Sequence, residues 1–526
     1  MGIYLNPNNK DFGMALNSEI YVDKSMLIKL TNKVICTEQR FVSVSRPRRF
    51  GKSMAANMLT AYYSKGCDSR KIFSGLKISN DKDKEAFERH LNKYNVIRIN
   101  MVDFLGEAKN NIDEMIGFIQ EDLSEELLNE FPDITFPRRK TLIKILETIF
   151  DRMSTPFIFI IDEWDCIFRK KKEDTASQEI YLDFLRNLLK DKSYVALAYM
   201  TGILPIKKYG EHSAINMFTE VSMIEAGEYA EFTGLTEEEV SALCRKYNMS
   251  YDETKCWYDG YHVMGKYVYN PRSVVTAMTQ QYFSNYWTST DTYEALKIYI
   301  QSEDMKETIN KLIAGEEVAI DTTTFSNDMV TFHSQDDVLT LLIHLGYLTY
   351  NFDTKKVSIP NYEITEQFVS TVRIMGWSEM SDSIMRSDEL LKATIAGDEA
   401  KVAELIEQAH TENTSILKYN DENSLSCVIS LAYYSARRTY TMHREVPAGK
   451  GFVDIVFVPR NGITTPAMII ELKFNQSAES AIEQAKNRNY ADFFKDYKGD
   501  ILLVGINYSK DDPNKKHICR IEKIKK

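Results

Sequence analysis

Gly51-Lys52-Ser53 and, about 110 residues further on, Asp162-Glu163 are residue types that together handle a polyphosphate. The tripeptide stands between an apolar run, FVSVS (41–45), and an amphipathic pattern, SMAANMLTAYY. That places it where a buried strand turns into a helix, so the first amide N–H groups of the helix point at a bound phosphate. Lys52 would then reach the β- and γ-phosphates, and Ser53 would ligate Mg²⁺. The general loop pattern has glycine at position 46, where this chain has Arg46. Gly-Lys-Ser is common by chance, so the weight falls on the second element. FIFIIDEWD runs apolar residues straight into Asp162-Glu163. Two carboxylates thereby reach the C-terminal edge of a buried strand, where open α/β sheets bind ligands. There Asp162 would hold Mg²⁺, in part through water, and Glu163 would polarise an attacking water. A helix N-cap would also put Asp-Glu after a strand, but the loop upstream favours the chemistry. Thr201, near the end of YVALAYMTG (194–202), is placed to sense a γ-phosphate, although a threonine capping a turn would look the same.

A second constellation lies near the C-terminus. GFVDIVFVPRNGITTPAMIIELKF reads as two strands joined by an Asn-Gly turn. Asp454 lies in the first strand, and Glu471 and Lys473 share a face of the second because strand side chains repeat every two residues. Two hard-oxygen ligands for Mg²⁺ or Mn²⁺ beside a lysine suit metal-assisted hydrolysis of a phosphodiester. Alternating charges on an exposed strand look identical, but MIIELKF is too apolar for a wholly exposed edge. Arg444-Glu445 adds either a phosphate or metal contact or a plain surface ion pair.

The elements that must position these groups fall into blocks. From about Tyr21 to Met223, FVSVS, NVIRINM (95–101), FIFIID (157–162) and YVALAYMTG alternate with helical patterns, the longest from Asn110 to Leu128. Continuous rather than alternating apolar runs are those of parallel strands buried on both faces. The expected divisions are a P-loop domain over 1–224 and a helical region with a winged-helix-like unit over 225–376. A charged helical connector over 377–410 and a metal-site domain over 411–526 follow. The winged-helix-like part rests on VLTLLIHLGYLTYN followed by KKVSIPN, read as a helix, a turn and a hairpin. The last block reads helix, two strands, helix, strand. The fold class expected is therefore α/β: a parallel P-loop sheet, a helical middle and a C-terminal α/β domain.

Composition bounds the rest. With 526 residues, 44% hydrophobic and 27% charged, the chain is that of a soluble multidomain protein. No apolar run approaches the roughly 20 residues that cross a bilayer, and the start shows no signal-peptide pattern. No membrane association is expected. Seven scattered cysteines form no CxxC pair and fit a reducing cytoplasm without structural zinc. A net charge of −11 argues against non-specific coating of nucleic acid. From Arg437 to Lys526, however, 17 Lys and Arg stand against 11 Asp and Glu, a local excess of +6. That suits a confined nucleic-acid site or a lysine-rich solvated tail.

YVDKSMLI (21–28), RPRRFGKS (46–53), IIDEWD (160–165), MTGILPI (200–206) and WYDGY…YNPRSV (257–274), with the C-terminal block, cover most of the chain. In these the chain resembles the bacterial AAA-ATPase-like proteins with a fused PD-(D/E)XK nuclease-like C-terminus. The resemblance implies that RPRRFGKS is the usual loop and Arg46 no defect. It makes Arg46, Arg49, Phe50, Gly51, Lys52, Ser53, Met54, Asp162 and Thr201 the ATP-binding set, with Glu163 catalytic. For the nuclease it implies Asp454, Glu471 and Lys473, a further acidic ligand at Glu422, and a Gln…Tyr pattern at Gln484 and Tyr490. It makes 225–300 lid-like and leaves Tyr258, Asp259, Tyr261 and Asn270 without chemistry. Arg46, Arg48 and Arg49 could clamp phosphate, bind nucleic acid, pair with a neighbouring subunit or simply be solvated. Arg186 is a candidate arginine finger or an ordinary helix arginine.

The function expected is a cytoplasmic, ATP-regulated, Mg²⁺-dependent nuclease acting on DNA or RNA. The resemblance places it in bacterial defence or mobile-element control. The alternatives are a non-cutting ATP switch and a remodelling ATPase, whose C-terminal fold binds nucleic acid or protein. Self-assembly and a protein partner stay open.

Overall fold

The computed structural model describes residues 2–524 apart from 81–83, 207–214, 288–295, 298, 301–302, 327–331, 414–421, 449–450, 461–462, 475–476, 488–493, 495–496 and 509–515. The chain divides into two compact units, 1–287 with 319–363, and 288–318 with 364–526.

In the first unit the apolar runs become strands: β1 (Phe41–Ser45), β2 (Asn95–Asn100), β3 (Phe157–Asp162) and β4 (Val195–Gly202). With β5 (Thr219–Val221) they form a sheet of order β2-β3-β4-β1-β5. Every neighbouring pair is parallel. β1, β3 and β4 are buried along their whole length, which explains their unbroken apolar sequence. Register decides where the chemistry lands. Ser45 pairs with Gly202, Val44 with Thr201, Ile161 with Met200 and Asn100 with Asp162. The carboxyl ends of four strands are thereby level, and β1 turns there into α1 (Lys52–Tyr63).

Beyond the sheet, β6 (Leu235–Thr236), β7 (Tyr261–Val263) and β8 (Lys266–Tyr269) make a small antiparallel sheet. α3 (Glu237–Tyr247), α4 (Tyr251–Tyr258) and α5 (Pro271–Gln280) pack with it, α2 (Ile112–Glu130) being the long helix before them. α3 opens with a capping box between Thr236 and Glu239. α5 has Asn270 as N-cap and Pro271 in its first turn. Leu235, Val240, Tyr258, Tyr269 and Val274 share one core. Then α6 (Gln335–Leu345) ends at Gly346, and β9 (Thr349–Asn351) pairs antiparallel with β10 (Lys356–Ser358). This is the helix and hairpin read from the sequence.

In the second unit, α7 (Ser378–Ala396), α8 (Glu399–Asn413) and α9 (Glu422–Ala432) precede a mixed sheet. Its strands are β11 (Tyr440–Ala448), β12 (Gly451–Pro459), β13 (Ala467–Phe474), β14 (Ile501–Tyr508) and β15 (His517–Ile524), in that order. The β13–β14 pair is parallel and the other three are antiparallel. α10 (Ala478–Asn487) makes the parallel crossover. It passes close over β14, because a Cβ on Gly505 would stand 2.5 Å from the Ala478 carbonyl oxygen. Sequence reading expected three strands here; β11 and β15 are additional. β12 ends at Pro459 and β13 starts at Ala467, and the expected Asn461-Gly462 turn lies outside the described residues.

Candidate functional sites

Gly51 takes a left-handed conformation, φ 85°, and no side chain caps the helix it opens. The first N–H groups of α1 are thus left for an external acceptor. Lys52 is buried, and its Nζ donates to the carbonyls of Arg46 and Pro47, both at 2.9 Å. Burial lowers its pKa, opposed by Glu163, Asp165 and Asp162. The ammonium is therefore curled inside its own loop and feels the carboxylates at the end of β3, one strand beyond its neighbour β4. Ser53 is exposed on the next position.

Asp162 is buried at the end of β3, where it accepts from the Thr201 hydroxyl and from the Glu163 N–H, the latter at 3.1 Å. Threonine and aspartate meet because β3 and β4 are parallel and in register. Glu163 has a positive φ of 54° and pairs with Arg169. Arg169 also bonds Asp165 from Nε at 3.2 Å. Although burial opposes its charge, Asp165 and Glu163 hold the Arg169 guanidinium above its usual range. Asp165 also accepts the N–H groups of Ile203 at 2.9 Å and Leu204 at 2.8 Å, tying β3's exit to β4's. Asp165 and Arg169 were missed by sequence reading; the signal was the second aspartate of IIDEWD with arginine four residues on.

The arginines of the loop go to different places. Arg46 is 1% exposed, and its Nη1 donates to the Ser45 and Ser222 carbonyls. Burial lowers its pKa to about 10. Arg48 is exposed. Arg49, at φ 70°, donates to the Tyr286 carbonyl at 2.7 Å and the Trp287 carbonyl at 3.3 Å. Phe50 is buried edge-on to Tyr261, ring centroids 5.2 Å apart, and its carbonyl accepts the Gly234 N–H at 3.0 Å. Arg186 pairs with Asp183 along its own helix at 2.7 Å.

Next to Gly51 and Met54 lies an apolar pocket of about 90 Å³. Ile20, Val22, Met58, Leu235, Pro271 and Val275 line it, with Lys24 at its edge. Such walls suit a flat, weakly polar group, and residues from both ends of the unit build them. None of these six was singled out from the sequence, though Val22, Pro271 and Val275 lie in or beside the YVDK and YNPRSV segments. The motif residues left without chemistry prove to be architecture. Tyr258 donates to the Ser284 carbonyl at 2.9 Å and Tyr261 to that of Gly346 at 2.8 Å. Asn270 caps α5 through the Arg272 N–H at 2.9 Å. The Asp259 carbonyl accepts from Asn361 at 2.8 Å, and burial raises its carboxyl above the usual range.

In the second unit the pairing of β12 with β13 reaches Ile455 and Ile470 among the described residues, while β13 stays paired to β14 through Phe474. At that divergence the Asp454 carboxylate accepts the Leu472 N–H at 2.6 Å. Glu471, the next residue of β13, is 1% exposed and registers with Gly505; Lys473 is half-buried and registers with Asn507. One strand end thus gathers two carboxylates and a lysine. Arg444 bonds Glu316 at 3.2 Å and Ser426 at 3.0 Å, an ion pair inside the unit. The side chains of Glu422, Glu445 and Gln484, and all of Tyr490, lie outside the described residues. Among the described residues, no group of three or more His, Cys, Asp or Glu side chains could hold a metal ion. Asp454 and Glu471 supply the hard oxygens that Mg²⁺ prefers, so the donor chemistry fits that ion.

Two family descriptions match the chain: "Predicted AAA-ATPase" over residues 11–210 and "PD-(D/E)XK nuclease superfamily" over residues 420–518. The chain therefore carries an AAA-ATPase-like domain followed by a C-terminal PD-(D/E)XK nuclease-superfamily domain. It is similar to an "Uncharacterized protein in vnfD 5'region" of Azotobacter chroococcum mcd 1, 23% identical over 500 residues, covering 89% of each. A solved structure of the Aeropyrum pernix ORC2 protein aligns at 11% identity and TM-score 0.31, over 71% of this chain and 99% of that one. A DNA replication initiation factor aligns at 11% identity and TM-score 0.22, over 56% of this chain and 71% of that one. Among the described residues, no helix is long and apolar enough to cross a membrane.

Proposed function

We propose that this chain is an ATP-responsive, Mg²⁺-dependent nuclease. The observation that carries the reading is the gathering of Asp454, Glu471 and Lys473 at one diverging strand end, in a chain that also has a phosphate-binding loop. In the first unit, Gly51 and the start of α1 offer N–H groups to the phosphates, and Lys52 swings from its loop carbonyls onto them. Ser53 and Asp162 would hold Mg²⁺, Thr201 reads the phosphate end through Asp162, and the apolar pocket takes the base. Glu163 orients water once Arg169 releases it.

In the second unit, Asp454 and Glu471 would hold Mg²⁺ or Mn²⁺, an ion that in such sites supplies charge neutralisation and an acidified water. Lys473 orients that water and offsets charge building on the phosphate. The local basic excess from Arg437 onwards supports a nucleic-acid substrate. The test is cleavage of single- and double-stranded DNA and RNA with Mg²⁺ by wild type, Glu471→Ala and Lys473→Ala. Cutting that both variants lose supports the reading. Cutting that survives Lys473→Ala overturns this site as the seat of the chemistry, and a wild type that cuts nothing removes the reading in favour of a non-cutting ATP switch.

A further inference from the structure

The chain leaves the first unit at two places, after Trp287 and after Glu363. These two departures are bonded to each other. The Glu363 carboxylate accepts the N–H groups of Tyr286 at 2.6 Å and Trp287 at 2.8 Å. It also accepts the Ser273 hydroxyl, at 3.0 and 2.9 Å to its two oxygens. The Glu363 carbonyl in turn accepts from Asn285 at 3.1 Å. The same two residues, Tyr286 and Trp287, present their carbonyls to Arg49, two residues before Gly51, and the peptide group between them is held from both sides.

The contact with the phosphate loop is more than one arginine. A Cβ on Gly346 would stand 2.8 Å from both Pro47 and the Trp287 ring, so loop and tryptophan close on the same spot. Trp287 also stacks on Tyr261, whose ring meets Phe50. A buried acid at this position is costly unless it is satisfied, and here it is satisfied by the two N–H groups at one exit from the unit.

We propose that Glu363 is a positioning residue that, through Tyr286, Trp287 and Arg49, links the nucleotide loop to both outbound crossings of the chain. ATP seated on Lys52 orders residues 46–51; Arg49 rides on that loop and clamps the two carbonyls, and the Glu363 clasp tightens at both crossings. This rests on the reading of the loop as an ATP site and names the route by which that site is felt beyond its own unit.

The test is amide hydrogen exchange of the full chain with and without a non-hydrolysable ATP analogue and Mg²⁺. In wild type, ATP should slow exchange of the peptide containing Tyr286 and Trp287 by about fivefold or more, the low end of ordinary site–site coupling. In Glu363→Ala, which removes the one oxygen that accepts both N–H groups, the loop peptide should still be protected by ATP while the response at Tyr286 and Trp287 is lost. Arg49→Lys, which keeps the charge but falls one bond short of the Nη1 that reaches both carbonyls, should weaken the same response and serves if Glu363→Ala fails to fold. Ser273→Ala, which leaves the carboxylate in place, should retain it. A protected loop with unchanged exchange at Tyr286 and Trp287 overturns this proposal alone. An undimmed response in Glu363→Ala or in Arg49→Lys overturns it too. A loop that ATP does not protect in wild type overturns the ATP-site reading as well.

Discussion

Arg169 pairs with Glu163 and with Asp165 at once, so the carboxylate to which we assign the water is neutralised from within its own strand exit. Asp165 is fully buried and also bound to two backbone N–H groups; Glu163 is partly exposed. The two acids therefore have different work. Glu163→Gln should lower ATP turnover by about 10²-fold or more, with ATP affinity within a few-fold of wild type. Arg169→Met should instead destabilise the unit by about 3–5 kcal/mol, because it strands Asp165 without its cation. Turnover, equilibrium nucleotide binding and urea unfolding of both variants check the division.

Gly260 should tolerate no side chain. Its φ is 100°, and an added Cβ would lie 1.8 Å from the Pro360 carbonyl oxygen. The strain adds to a backbone clash that no rotamer relieves. Gly260→Ala should cost about 2–4 kcal/mol, read as a fall in melting temperature. Gly265→Ala, with open space around its Cβ and φ 81°, should cost only about 1 kcal/mol.

Burial raises the Glu363 carboxyl to about 7 from 4.5, against hydrogen bonds from Ser273, Tyr286 and Trp287 and the charge of Arg49. The folded chain thus holds a proton that the unfolded chain has released between those two values. Its contribution to stability is fully present below about 4.5 and is lost as pH rises through about 7. Glu363→Gln has no proton to lose. The stability of wild type relative to that variant should fall by roughly 2–3 kcal/mol as pH rises from about 5 to 8. Urea midpoints at several pH values check this; a difference flat with pH contradicts it.

Much of the first site was legible because its strands are buried on both faces. FIFIID and FVSVS announce themselves, and a parallel sheet then puts their C-terminal ends at one edge. What was not legible is what distant segments bring. The apolar pocket joins Ile20 to Val275, and the Glu363 clasp joins Arg49 to Trp287. No local period encodes such meetings. The missed strands β11 and β15 are the two edges of their sheet. Edge strands carry charge, as in HICRIEKI, whose burial alternates at first and then gives way to exposure. That pattern reads as a basic tail.

The nuclease variants should differ in kind. Asp454, which we assign to the metal, also accepts the Leu472 N–H. Asp454→Ala should therefore lose cutting and about 1–2 kcal/mol of stability together. Lys473 is half-buried at the end of its strand. Lys473→Ala should lose cutting with stability within about 0.5 kcal/mol of wild type. Cleavage rates beside thermal melts separate a lost chemical group from a loosened strand.

Control of the chemistry at Glu471 by the loop at Lys52 can be read in one comparison. It is the initial rate of nucleic-acid cleavage with Mg²⁺, with and without ATP, in wild type and Lys52→Ala. The account predicts that ATP changes the wild-type rate by about fivefold or more, that Lys52→Ala cuts at one ATP-independent rate, and that Glu471→Ala cuts under neither condition. An equal ATP response in wild type and Lys52→Ala, or none in a wild type that binds ATP, would contradict it.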